Sequence, residues 1–140
     1  MPDLISTVEG LYEAFARGDI PAVLETLADD ISWEVEGPAE LRAAGIRRSR
    51  REVVEFFTAL GSDTTDLRLE MTEFLSGDNT VAAFGRYQAT ARATGIRFDV
   101  PLGHFFKFRD GKIVRLVQLS DTGTAANALR GHVAAAGSEG

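Results

Sequence analysis

The chain has 140 residues, 44% of them hydrophobic and 26% charged, which is the size and make-up of one soluble domain with its own core. A net charge of −6 gives no general basic face to neutralise phosphates, so nucleic acid is excluded as a partner. There is no cysteine, hence no disulfide or thiolate metal site, and no apolar run approaches the roughly 18 residues that a membrane span needs.

The first residues, MPDLISTVEGLYEAF, carry acids early and lack the basic stretch of a secretory leader, so a cytoplasmic location is expected. Leu4, Val8, Leu11, Tyr12 and Phe15 share one face of a helix over 3–17, and Gly18 is its stop signal. Asp19 is the N-cap of a short second helix with Pro21 in its first turn and Val23, Leu24 and Leu27 as its buried side. Ile31, Trp33 and Val35 alternate with Ser32, Glu34 and Glu36, the pattern of a half-buried strand that Gly37 and Pro38 end. An irregular stretch to about Arg48 follows. Ser49 and Glu52 then form a capping box before Val53, Val54, Phe56, Phe57 and Leu60. The cluster Arg47, Arg48, Arg50 and Arg51 reads as a solvated helix start, with an anion-attracting rim as the alternative.

From Leu67 onward the pattern is strand-like. Leu67, Leu69 and Met71 alternate, and the phase then slips to Phe74, which predicts a bulge. Gly77, Asp78 and Asn79 form a turn. Two long strands, 80–93 and 96–109, flank Thr94-Gly95, and Asp110-Gly111 makes a hairpin into a last strand over 113–121. Residues 1–124 are expected to form the domain, and 125–140 a weakly ordered tail, either a short helix or frayed chain. Helices first and antiparallel strands after them imply an α+β fold with helices on one face of a curved sheet, an arrangement that encloses a ligand cavity.

Hairpin pairing places polar residues on that inner face. Around Asp110-Gly111, His104 falls opposite or next to Gln118. Around Thr94-Gly95, Tyr87 falls opposite Leu102. Tyr87, His104 and Gln118 are therefore expected to cluster in a face otherwise built of Phe98, Val100, Leu102, Phe106, Phe108 and Leu116, while Arg97, Asp99, Lys107 and Arg109 point outward. His104 reads either as a core histidine held by one hydrogen bond or as a pocket histidine serving as acid, base or donor. Trp33, Tyr12 and Phe56 are large rings for the core or the pocket wall. The other histidine, His132, lies far away in the tail, so no metal site is expected. No glycine-rich phosphate loop or nucleophile elbow is present, and no organic cofactor is expected.

Four segments, LYEAFARGD (11–19), LADDISWEVEGP (27–38), GIRRSRREVVEFF (45–57) and GHFFKFRDGKIVRLVQLSD (103–121), together resemble the SnoaL-like domain family. That family lies in the superfamily of nuclear transport factor 2, scytalone dehydratase and ketosteroid isomerase. The resemblance implies a cone-shaped α+β fold, a strongly curved mixed or antiparallel sheet wrapped around N-terminal helices in a cystatin-like α+β barrel, and often a homodimer. It leaves the reaction open, because isomerases, hydrolases, cyclases, dehydratases and plain binding modules share the fold. Carried over residue by residue, the general base of ketosteroid isomerases falls on Val35. Their oxyanion donors fall near Tyr12, one residue out of register, and on His104. The last-strand carboxylate of limonene-epoxide-hydrolase-like members falls on Gln118, and their third-strand acid falls near Tyr87, where Gly85, Tyr87 and Ala89 offer none. SnoaL-type cyclases use an acidic group, for which Asp121 is the candidate, although Asp121 also reads as a cap before Thr122 and Gly123.

The expectation is thus an acid–base enzyme of isomerase, cyclase or hydrolase type without the usual ketosteroid isomerase base. Its substrate would be a largely apolar oxygenated metabolite of polyketide, terpenoid or steroid-like kind. His104 and Asp121 are the catalytic candidates, with Tyr12, Trp33, Val35, Phe56, Tyr87, Phe106, Leu116 and Gln118 as the wall. A non-catalytic ligand-binding or dimeric interaction module of the same fold is the alternative.

Overall fold

The structure, a computed structural model, describes residues 3–131. Helix α1 (Leu4–Ala16) is capped by Asp3, whose carboxylate accepts from the Ile5 amide, and helix α2 (Ile20–Glu25) is capped by Asp19. Strand β1 (Leu27–Val35) and the short strand β2 (Gly45–Arg47) precede helix α3 (Arg50–Asp63). Strands β3 (Thr64–Ser76), β4 (Thr80–Ala91), β5 (Arg97–Arg109) and β6 (Lys112–Ser120) follow, and helix α4 (Thr122–Arg130) closes the described chain. The six strands run in the order β2-β1-β6-β5-β4-β3. All neighbours are antiparallel except β1 and β6, so the sheet is mixed, and it remains an open sheet with β2 and β3 as its edges rather than a closed barrel.

The inner face of the sheet is the core. Ile31, Trp33, Val81, Ala83, Phe106, Ile113 and Leu116 pack against Val8, Leu11 and Ala14 of α1, Val23 of α2, and Val53 and Phe56 of α3. A second cluster, Tyr87, Ala89, Phe98, Val100 and Leu102, packs against Ala125 and Ala128 of α4. Residues 125–130, assigned above to the tail, are therefore a packed helix, and its end at Gly131 (φ 87°) is a left-handed cap. His132 and the rest of the tail lie outside the described residues.

Three further differences have local causes. Strand β1 starts at Leu27, four residues before the alternation becomes visible, because the exposed pair Asp29 and Asp30 sits where the pairing with β6 shifts register. Strand β2 lies in the stretch read as irregular, since three exposed or half-buried residues carry no alternation. Tyr87 pairs with Val100 rather than Leu102. The loop after β4 is five residues long, 92–96, so the pairing sum drops by two while the face is preserved. The predicted bulge is present between Met71 and Glu73. Gly85 sits against it: a Cβ there would lie 2.0 Å from the Glu70 carbonyl oxygen, so the two backbones approach closer than any side chain allows.

Candidate functional site

Helix α1 crosses the inner face so that Tyr12 reaches β5. The Tyr12 hydroxyl lies 2.7 Å from His104 Nδ1, and His104 Nε2 lies 2.9 Å from Gln118 Oε1. His104 and Gln118 are direct cross-strand partners, as the hairpin sum requires. Gln118 Oε1 only accepts, so Nε2 carries the imidazole proton and Nδ1 accepts from the phenol. The result is a line of three uncharged groups, Tyr12 O–H to His104 to Gln118. Burial drives the His104 imidazolium down to about 4, a shift that the bond to Gln118 opposes. Burial also pushes the Tyr12 phenol well above its ordinary range. At neutral pH the line therefore holds no charge, and it forms within a shell of rings: Tyr12 stacks on His104 with centroids 5.7 Å apart, and Phe106 and Phe74 meet Tyr12 edge-on.

This line borders a largely apolar cavity that is partly open to solvent. Its wall is Leu11, Tyr12 and Phe15 of α1, Trp33 of β1, and Phe56, Phe57 and Leu60 of α3. Leu67 and Leu69 of β3, Tyr87 of β4, Leu102 and His104 of β5, and Leu116 and Gln118 of β6 complete it. Apart from Tyr12, Tyr87, His104, Gln118 and the Trp33 indole nitrogen, nothing in this wall is polar. A second chamber adjoins it and shares Phe56, Leu60, Tyr87 and Gln118. That chamber is more polar, with Glu36, Arg42, Asp63, Thr64, Ser120 and Thr122 on its wall. Arg42 is tied to Asp63 across it, which raises the Arg42 pKa, and Arg130 is paired with Glu40 nearby.

The residues predicted from the sequence do not all meet at one place. Tyr12, Trp33, Phe56, Tyr87, His104, Leu116 and Gln118 all face the first cavity. Val35 lines the second chamber instead. Phe106 is wholly buried behind the cavity wall, where its ring supports His104 at 5.7 Å. Tyr87 is not a partner of His104. It packs edge-on against Phe98 at 5.3 Å in the second cluster, and burial raises its phenol pKa. Asp121 is the N-cap of α4: its carboxylate accepts from the Thr124 amide at 3.1 Å and hydroxyl at 2.7 Å, which lowers its pKa, and it lines neither chamber. Two of the four clustered arginines are structural, while Arg48 and Arg51 are exposed. Arg47 bonds the Ala43, Ala44 and Arg42 carbonyls, and Arg50 bonds the Leu27 carbonyl. The bond between Tyr12 and His104 and the second chamber were not foreseen. The helix face that carries Tyr12 with Val8 and Phe15 points to the core, but no local rule gives its partner 92 residues on.

One atom of the wall stands apart. Trp33 Nε1 is buried and has no hydrogen-bond partner among the described residues, a condition that ordinarily costs about 1–3 kcal/mol. No cluster of three or more His, Asp or Glu among the described residues is arranged to hold a metal, and no helix there is long and apolar enough to cross a membrane.

The fold and the apolar cavity under its helices define a class, and the comparisons agree with it. Residues 8–116 match the SnoaL-like domain, and the chain belongs to that family. Among solved structures it is similar to an NTF2-like protein from Burkholderia thailandensis, with 31% identity, TM-score 0.85, and 92% of this chain and 98% of that one covered. An NTF2-like protein from Burkholderia pseudomallei gives 27% identity and TM-score 0.87 with the same coverage. IdmH, a candidate polyketide cyclase from Streptomyces antibioticus, shares the fold at 22% identity and TM-score 0.76, with 92% of this chain and 99% of that one covered. No match is found among curated proteins.

Proposed function

We propose that this protein is a small-molecule enzyme that takes a largely apolar, oxygenated metabolite of polyketide, terpenoid or steroid-like kind into the cavity and moves a proton beside its carbonyl group. The carrying observation is the Tyr12–His104–Gln118 line, an uncharged relay set in an otherwise apolar wall. Apolar surroundings leave few competing partners, so a substrate carbonyl is drawn to the few polar atoms present. Its oxygen accepts from the Gln118 amide N–H, which polarises the carbonyl. The α C–H bond then breaks, its proton goes to the Tyr12 oxygen, and the Tyr12 proton passes to His104 Nδ1. The products of the step are an enolate and an imidazolium whose Nε2–H remains on Gln118 Oε1. The two charges neutralise each other inside the cavity, and return of the proton to another atom gives isomerisation or ring closure. The fold shared with a candidate polyketide cyclase is in keeping with this substrate class.

The test is hydrogen–deuterium exchange at the α-carbon of cyclic aromatic ketones in heavy water, followed by proton NMR. Exchange above the buffer rate is expected, falling on the order of a hundredfold in His104→Gln and Tyr12→Phe proteins that keep the wild-type circular dichroism spectrum. Binding of these ketones with exchange no faster than buffer would overturn the catalytic reading in favour of a binding module.

The same proposal includes a homodimer. On the outer face of the sheet two neighbouring rows are mostly apolar: Phe84, Gly103 and Leu119 in one, with Glu73 at its β3 end, and Leu75, Ala82, Phe105 and Val117 in the other, with Glu34 at its β1 end. Phe84, Leu119 and Leu75 are 46%, 56% and 65% exposed. A patch of this kind, bordered by Lys107, Arg115 and Arg86, fits a second copy of itself.

A further inference from the structure

We infer that Trp33 is a ligand-binding residue, its indole N–H donating to an acceptor oxygen of the molecule that occupies the cavity. The inference rests on the reading of the cavity as a substrate site and adds to it a second polar anchor and a ligand class.

Trp33 is 3% exposed, lines the cavity, and holds a buried side-chain nitrogen that no acceptor among the described residues reaches. The ring is wedged against Phe56 at 5.4 Å and Phe57 at 5.6 Å, so it is not free to turn its nitrogen toward bulk water. Strand β1 sets its direction. Trp33 pairs with Leu116 and Val35 with Gln118, so Trp33 and Gln118 are diagonal neighbours on the inner face. The Tyr12 O–H and the His104 N–H are already committed to each other and to Gln118 Oε1. The donors left to the cavity are the Tyr87 O–H on β4 and, diagonal to each other on β1 and β6, the Trp33 indole N–H and the Gln118 amide N–H. The ligand this arrangement fits is a planar or polycyclic molecule with a carbonyl, quinone or ether oxygen on the edge that meets β1 and β6. A hydrocarbon of the same shape would leave the indole N–H unpartnered, and sites built to satisfy a polar group discriminate strongly against analogues lacking it.

Trp33 is the sole tryptophan, so a proton–nitrogen correlation spectrum of the full chain shows one indole signal. The probes are α-tetralone and tetralin, which differ only in the ketone oxygen. The expected result is a large downfield shift of the indole proton with α-tetralone, a small one with tetralin, and about tenfold tighter binding of the ketone. In Trp33→Phe, which keeps a ring and loses the indole donor while the Gln118 amide remains, the ketone's advantage over tetralin is expected to shrink to about threefold by calorimetry. Equal indole shifts and equal affinities for the two probes in the wild type would overturn the role of Trp33 and leave the cavity reading standing. If neither probe moves the signals of Trp33, Tyr12 or His104, the cavity reading fails and the inference falls with it.

Discussion

At the scale of the residue, His104 is decisive. Burial holds its imidazolium near 4, against about 6.5 in an unfolded chain. Between those values the unfolded state binds a proton that the native state refuses, so stability rises with pH across this window and is lost as pH falls from 6.5 toward 4. The loss is roughly 3 kcal/mol, because each pH unit between the two values is worth about 1.4 kcal/mol. Urea unfolding of the wild type and of His104→Phe at pH 6.5 and pH 4.5 is expected to show a steeper loss in the wild type, and parallel losses would count against a neutral buried His104. Activity is expected to follow the same protonation, flat above about pH 5 and falling as the solution approaches pH 4. Tyr12→Phe removes the donor to Nδ1 and leaves a buried acceptor unpartnered. A destabilisation of about 1–3 kcal/mol in urea unfolding is expected, and a neutral outcome would mean that Nδ1 has another partner.

Among the elements, legibility followed locality. The hairpin at Asp110-Gly111 has both residues at positive φ, 52° and 79°, the geometry that an Asp-Gly turn favours, so the partnership of His104 with Gln118 could be counted from the turn. The loop of residues 92–96 has no such signature length, and there the count put Tyr87 two residues too far along β5. The capping box at Ser49, the Asp19 cap and the bulge were visible because each is written in a few adjacent residues. The parallel pairing of β1 with β6 was not, because no turn joins the two segments, and neither was the seating of α4, whose buried residues are alanines. The β3–β4 bulge gives a prediction at this scale. Gly85→Ala drives a Cβ into the Glu70 carbonyl and is expected to cost about 1–3 kcal/mol in urea unfolding, whereas an unchanged midpoint would show that the edge strand yields freely.

For the whole molecule, the order of helices and strands sufficed for the class of fold, since only a few layer arrangements bury one face of such a sheet. The site was half legible. Residues on one strand face could be grouped from pairing, while the crossing of α1 that brings Tyr12 to His104 is a property of the packed core. Assembly is tested on the outer face: Phe84→Lys and Leu119→Lys together are expected to convert a dimer to a monomer in sedimentation equilibrium with the cavity intact, and a wild type that sediments as a monomer at all concentrations would refute the dimer. The central claim, an uncharged relay inside the cavity, is tested most directly by a long-range proton–nitrogen NMR titration of the imidazoles. The chain has two histidines, and His104→Phe assigns the signals. An uncharged relay predicts that His104 is the Nε2–H tautomer and stays neutral until pH falls to about 4, while a His104 that titrates near 6.5, or carries its proton on Nδ1, would contradict it.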